Sequence, residues 1–184
     1  MTTIFVAQNE PQSIVEIAQM SGVSQRVALL EVDRLLGAGL IVEKRVGRAR
    51  LIAPNESSPE VPALKHLLEV AFGPEPRLRE ILSGIEGIDA AYIYGSWAER
   101  RLGKPGQSPK DIDVLIVGTV DEDDVERQVR PLQKQLGRTV SITVVSPQRW
   151  QDPASTGFLP TVRSKPIVTL LGDPVQTSEE GKHD

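Results

Sequence analysis

Gly95-Ser96 and Asp111-Ile112-Asp113 are the residues whose types and spacing could do chemistry. Ala90 to Tyr94 reads as a strand ending at Gly95-Ser96, and Asp111 to Val117 reads as the next strand. Side chains two apart on a strand share a face, so Asp111 and Asp113 can offer two carboxylates to one cation. Hard cations such as Mg²⁺ take oxygen ligands and keep substrate phosphates in their shell. A glycine at a strand-to-helix turn lets backbone N–H groups approach a phosphate, and the start of a helix favours that anion. Ser96 adds a hydroxyl donor. Asp111 and Asp113 are therefore candidate metal ligands, Gly95 and Ser96 candidate nucleotide contacts, and Mg²⁺ the cofactor they imply.

A second set is basic. Lys44, Arg45, Arg48 and Arg50 crowd a segment in which two β-rich arms flank Gly47, and no other part of the chain is as densely cationic. Cations beside such a turn can contact DNA phosphates or reach the minor groove; otherwise they are solvated strand faces. Upstream, Ser24, Gln25 and Arg26 open a helix and can donate to phosphates or base edges. One turn on, Leu29, Leu30, Glu31 and Asp33 are apolar or acidic, which weakens base-specific readout and is compatible with a dimer or partner surface.

Other residues invite chemistry and have plainer readings. The run Asp121-Glu122-Asp123-Asp124 places acids at a helix start, where they complement the macrodipole. His66 falls on the polar side of an amphipathic helix. Trp97 could stack a base, but packing into a core is the simpler role. The chain has no Cys, and its only histidines are His66 and His183. That removes thiolate chemistry and makes Ser-His-Asp or His-rich metal mechanisms improbable.

The elements that must position these residues follow from capping and periodicity. Ser13 caps a helix that Gly22 closes. Ser24 caps a longer one bearing Val27, Leu30, Leu35 and Leu36, stopped by Gly37 and Gly39. The hairpin follows, so residues 1–54 have the order of a winged helix-turn-helix. Its first helix has only Met1 to Gln8 to draw on. Residues 55–88 form a Pro-rich linker and connecting helices: Val61 to Phe72, with a stripe of Leu64, Leu67, Leu68 and Ala71, and Arg77 to Ile88. That stripe must be buried, on its own chain or against a second copy. Residues 89–173 alternate strands and helices: the two strands above, a helix from Asp121 to Leu136, a strand Val140 to Val145, and one near Ile167 to Leu171. Residues 174–184 read as a frayed tail. The fold class expected is α+β, with a mixed α/β second domain.

Composition sets outer bounds. The chain has 184 residues, 39% hydrophobic and 25% charged, with a formal net charge of −4. This is globular composition, and the mild acidity excludes nucleic-acid coating by bulk charge. No apolar run approaches the roughly 20 residues of a membrane span, and the start lacks a signal-peptide layout, so a cytoplasmic location without membrane partners is expected.

The segment Tyr94-Gly95-Ser96-Trp97-Ala98, followed by Asp111-Ile112-Asp113-Val114-Leu115-Ile116-Val117, resembles the minimal nucleotidyltransferase domain of the polymerase-beta-like superfamily. The resemblance covers about Asp89 to Leu171. The whole chain resembles bacterial proteins that fuse a winged helix to such a domain and are described as transcriptional regulators. The family's pattern adds a third carboxylate on a later strand. Here that position falls on the strand Val140 to Val145, at Ser141, and no Asp or Glu lies between Gly137 and Gln151. In phosphoryl transfer by two metals the third acid holds the metal of the nucleophile or acts as its base. The stretch Trp97 to Lys110 is also longer than the minimal domain requires. The expectation is a DNA-binding, homodimeric regulator with a catalytically weakened domain that binds nucleotide and Mg²⁺, or a partner. The alternatives are an active nucleotidyltransferase acting on protein or RNA, completed by another acid such as Glu99, and an antitoxin-like interaction protein.

Overall fold

The computed structural model describes residues 1–7, 10–47, 49–105, 109–152 and 157–174. The architecture is mixed α+β, with helices and two separate sheets. The chain divides into two compact units. The first is Met1–Arg77 together with Pro131–Arg138; the second holds Leu78–Arg130 and the described residues from Thr139 onward.

The first unit opens with a π-helical turn, Thr3–Ala7, then β1 (Gln12–Ser13), α1 (Ile14–Ser21), α2 (Gln25–Gly37), β2 (Ile41–Val46), β3 (Ala49–Pro54) and α3 (Val61–Phe72). Ser13 builds a capping box on α1: its hydroxyl accepts the Glu16 N–H at 3.3 Å, and its own N–H donates to Glu16 Oε2 at 2.7 Å. The Ser13 hydrogen bonds hold the Glu16 carboxyl below its usual pKa. Ser24 caps α2 by accepting the Val27 N–H. In α2, Ala28, Val32 and Leu35 follow helical spacing and are buried. They meet Ile17 and Ala18 of α1, Ile41 and Ile52 of the hairpin, and Ile4, Phe5 and Val6 of the opening turn. β2 and β3 pair antiparallel with Val46 opposite Ala49, and Gly47 turns the chain at φ 59°. β1 adds a third strand along β3.

The expected stripe on α3 divides. Leu64 and Leu68 pack on the first unit's core beside Val61, whereas Leu67 is 63% exposed and Ala71 is exposed. The inward line is therefore Val61, Leu64 and Leu68, with Leu67 and Ala71 turned outward. The following helix also differs from expectation. α4 spans Pro74–Ser83 rather than Arg77 to Ile88, because Pro74 and Pro76 lie in its first turn, where no N–H is needed.

The second unit contains β4 (Ile88–Tyr94), α5 (Gly95–Arg101), β5 (Asp111–Gly118), α6 (Glu122–Leu136), β6 (Thr139–Val145), α7 (Pro147–Gln151), α8 (Phe158–Arg163) and β7 (Val168–Leu171); the last residues of α6 count with the first unit. Its sheet order is β6-β5-β4-β7. β5 and β6 run parallel, joined through α6, while β4 is antiparallel to both β5 and β7. β5 is central. From Val114 to Val117 every residue is buried, as expected of a strand covered on both faces. On one face Tyr92, Leu115, Val117 and Val145 pack with Leu159 and Val162 of α8 and with Trp150 of α7. Asp113 lies two residues before Leu115, so it continues this row toward the start of β5. Asp121 caps α6 by accepting the Asp124 N–H at 3.2 Å, and Gly137 ends it at φ 60°.

Candidate functional site

The Gly-Ser turn and Asp113 meet in the second unit. β4 ends at Tyr94, and the chain turns into α5 at Gly95 with φ +73°. A Cβ at Gly95 would stand 2.6 Å from Asp113 Oδ2. Glycine is therefore required twice, once for the backbone angle and once for the close approach of the carboxylate. Trp97 and Ala98 are buried and anchor α5, which gives Trp97 the packing role. Ser96 stays exposed. α5 has only seven residues, so a phosphate here would rest on the turn's N–H groups and the Ser96 hydroxyl more than on a helix dipole.

The strand registers build a row across the sheet. Tyr94 of β4 pairs with Asp113 of β5, and Asp113 pairs with Ser141 of β6. Asp111 is exposed and Asp113 half-buried. Burial, and secondarily the charge of Asp111, push the Asp113 carboxyl above its ordinary pKa. Two acids on one strand face without a cation repel, and a hard cation would relieve that repulsion. Asp111, Asp113 and Ser141 offer oxygen donors only, the type a hard cation takes. Ser141 is exposed and brings a hydroxyl beside Asp113 in the β5–β6 register. Among the described residues no group of three or more His, Cys, Asp or Glu could hold a metal.

Glu99 does not join the pair. Its carboxylate bonds Lys104 at 2.6 Å and lies 3.9 Å from Lys165, and the Lys104 hydrogen bond holds its pKa low. The stretch Trp97 to Lys110 begins as helix, since α5 reaches Arg101; residues 106–108 lie outside the described set. Sequence reasoning assigns no role to the Tyr94 phenol or to Thr143 and Phe158 beside it. The Tyr94 phenol is pushed up in pKa by burial and by Asp113, against a hydrogen bond with Thr143. Its ring meets Phe158 edge-on at 5.4 Å. The available signal was spacing: Tyr94 directly precedes Gly95, and Thr143 lies two residues beyond Ser141.

In the first unit the basic hairpin is less uniform than its sequence. Lys44 and Arg45 are exposed. Arg45 pairs with Glu43 at 3.2 Å. Arg50, only 28% exposed, pairs with Glu43 at 2.7 Å and with Asp33 of α2 at 3.1 Å. It ties the hairpin to α2. Arg48 lies outside the described residues. At the start of α2, Ser24 is used as the cap, and Gln25 and Arg26 are exposed. Val27 and Leu30 are more than half exposed on the same helix, at 52% and 55%. His66 is exposed on α3. The acidic run serves α6: Asp121 caps it and Asp124 pairs with Arg127 at 2.5 Å.

Among the described residues no helix is long and apolar enough to cross a membrane. No family model, no curated protein and no solved structure matches the chain.

Proposed function

We infer that the chain is a cytoplasmic DNA-binding regulator whose second unit holds a Mg²⁺-nucleotide with little power to transfer it. The observation that carries this reading is the close approach of Gly95 to the Asp113 carboxylate. It sets a glycine turn against one of the two aspartates and supports the nucleotidyltransferase-like reading. In this reading the N–H groups at Gly95-Ser96 and the Ser96 hydroxyl hold phosphate oxygens. Asp111 and Asp113 hold the cation, which would neutralise phosphate charge. Ser141 supplies no negative charge, so neither a second metal nor a general base is in place, and transfer is slow.

The order α1, α2, hairpin, with α2 presenting Gln25 and Arg26 and the hairpin presenting Lys44 and Arg45, supports a winged helix-turn-helix on duplex DNA. The outward Leu67 supports a homodimer through α3. In sedimentation, Leu67→Asp is expected to yield a folded monomer. A second reading, an antitoxin-like protein with α2 as its partner surface, draws on exposed Val27 and Leu30. Duplex titration separates the two: binding lost in Lys44→Ala/Arg45→Ala supports the DNA reading, and no binding by the wild type supports the partner reading. For the nucleotide site, calorimetry with ATP and Mg²⁺ is the test, with Asp111→Asn/Asp113→Asn as the control.

A further inference from the structure

Among the described residues, the second unit exposes two large apolar side chains, Leu102 and Phe158. Phe158 opens α8 and is 43% exposed. The helix that carries it is firmly held. Leu159 and Val162 are buried and pack on the sheet face of Tyr92 and Leu115. Thr161 donates from Oγ1 to the Gly157 carbonyl at 3.1 Å, which ties the first turn of α8 to the residue before it. A fixed helix that keeps a phenyl ring in water forgoes the burial that ring would gain.

The position of that ring links it to the Gly95 turn. It meets the Tyr94 ring edge-on at 5.4 Å. Tyr94 directly precedes Gly95, pairs with Asp113 in the β4–β5 register, and hydrogen-bonds Thr143 of β6. Since β5 lies between β4 and β6, the Tyr94 side chain reaches across it. It packs with the cluster of Leu115 and Leu159, on the face whose row Asp113 continues. Phe158 therefore stands one ring away from the residue that opens the turn, on the same sheet face as Asp113. The other aromatic side chains of the second unit are engaged elsewhere. Tyr92 and Trp97 are buried. Trp150 is half-buried, with the Tyr92 ring stacked at 5.4 Å and the Arg163 guanidinium 4.7 Å from its centre.

A nucleotide brings phosphates and a flat base. The Gly95-Ser96 turn and the two aspartates of the proposed site answer only the phosphates and their cation. Bases stack on exposed aromatic rings whatever their identity, because every base has a π face. We propose that Phe158 is the base-stacking residue of the second unit, so that the site takes a nucleoside triphosphate, with its base on Phe158, in preference to a bare polyphosphate. The assignment rests on the Mg²⁺-nucleotide reading above and names the part of the ligand that reading leaves without a contact. A phenyl ring offers no hydrogen bond, so Phe158 selects for a base without choosing among bases.

The test is calorimetric titration of the full chain, in Mg²⁺, with ATP and with tripolyphosphate, which has the phosphates and no base. The wild type is expected to bind ATP at least about tenfold more tightly than tripolyphosphate. Phe158→Leu keeps an apolar side chain against Tyr94 but has no flat ring. It should lower ATP affinity by about tenfold, a loss confined to the ligand that carries a base. Phe158→Trp should bind ATP at least as tightly as the wild type, and ATP, not tripolyphosphate, should quench its added indole fluorescence. Circular dichroism checks that both variants fold; if Phe158→Leu does not, the wild-type preference and the Phe158→Trp signal decide. ATP affinity indifferent to a folded Phe158→Leu, or equal wild-type affinity for the two ligands, overturns the role of Phe158 and leaves the phosphate and metal site standing. Binding of neither ligand by the wild type overturns that site, and the role of Phe158 with it.

Discussion

Asp113 of β5 and Ser141 of β6 stand side by side in the parallel register, on the sheet row that Tyr94 enters from β4. In the proposed nucleotide site a carboxylate at residue 141 would share a cation with Asp113, whereas the serine hydroxyl brings an oxygen without charge. Ser141→Asp is therefore expected to raise Mn²⁺ affinity by about tenfold or more. It should also introduce metal-dependent label transfer from radioactive ATP to protein or RNA. Wild-type transfer as fast as the variant's would show that the missing acid does not limit the chemistry.

Asp113 also sets a pH dependence. Burial and Asp111 raise its folded pKa, so the folded chain binds that proton more tightly than the unfolded chain does. The contribution of Asp113 to stability is therefore fullest at acid pH and declines as pH rises through the window above the ordinary carboxylate value. Asp113→Asn removes this loss. At pH 7 it should raise Tm, while near pH 3 it should leave Tm unchanged. Thermal unfolding at the two pH values checks this, and Mg²⁺ should raise the Tm of the wild type alone.

Gly95 and Gly47 make a controlled comparison. Both have positive φ, +73° and +59°, but a Cβ at Gly47 meets nothing within 4 Å while one at Gly95 meets Asp113. Gly47→Ala should cost about 1–2 kcal/mol from backbone strain alone. Gly95→Ala should cost about 1 kcal/mol more, from displacing a half-buried carboxylate. Denaturant titration of the two variants measures the difference, and equal losses would remove the contact as a cause.

Much of this was legible from residue order. Ser13, Ser24, Gly22 and Gly137 mark helix ends through capping chemistry that acts within one turn. The strands β4, β5 and β6 announce themselves as apolar runs, and the i, i+2 spacing of Asp111 and Asp113 needs no tertiary knowledge. Short elements were not legible: β1 has two residues, and α7 and α8 have five and six, too few to display a period. Nor was the division of the α3 stripe, because Leu67 and Leu68 are adjacent and only the core decides which one faces it. The partners of Arg50 were hidden for the same reason, since Asp33 reaches it only after α2 and β3 have packed.

That pairing separates two arginines that look alike in the sequence. Arg45→Ala should weaken duplex binding across sequences and reduce the salt slope by about one unit, with little change in stability. Arg50→Ala should instead lower stability by up to about 1 kcal/mol through loss of its ties to Glu43 and Asp33. Fluorescence anisotropy over a salt series and chemical denaturation read the two effects. A salt slope that responds to neither substitution would take the hairpin out of the interface.

The most direct measurement is calorimetric titration of ATP into the wild type and into Asp111→Asn/Asp113→Asn, each with Mg²⁺ and with chelator. Wild-type binding is expected with Mg²⁺, weakened strongly by chelator and by the paired substitution, while both proteins keep the same affinity for duplex DNA. Failure of the wild type to bind ATP with Mg²⁺, or binding that ignores both the metal and the two aspartates, would contradict the assignment of a nucleotide site to Gly95, Ser96, Asp111 and Asp113.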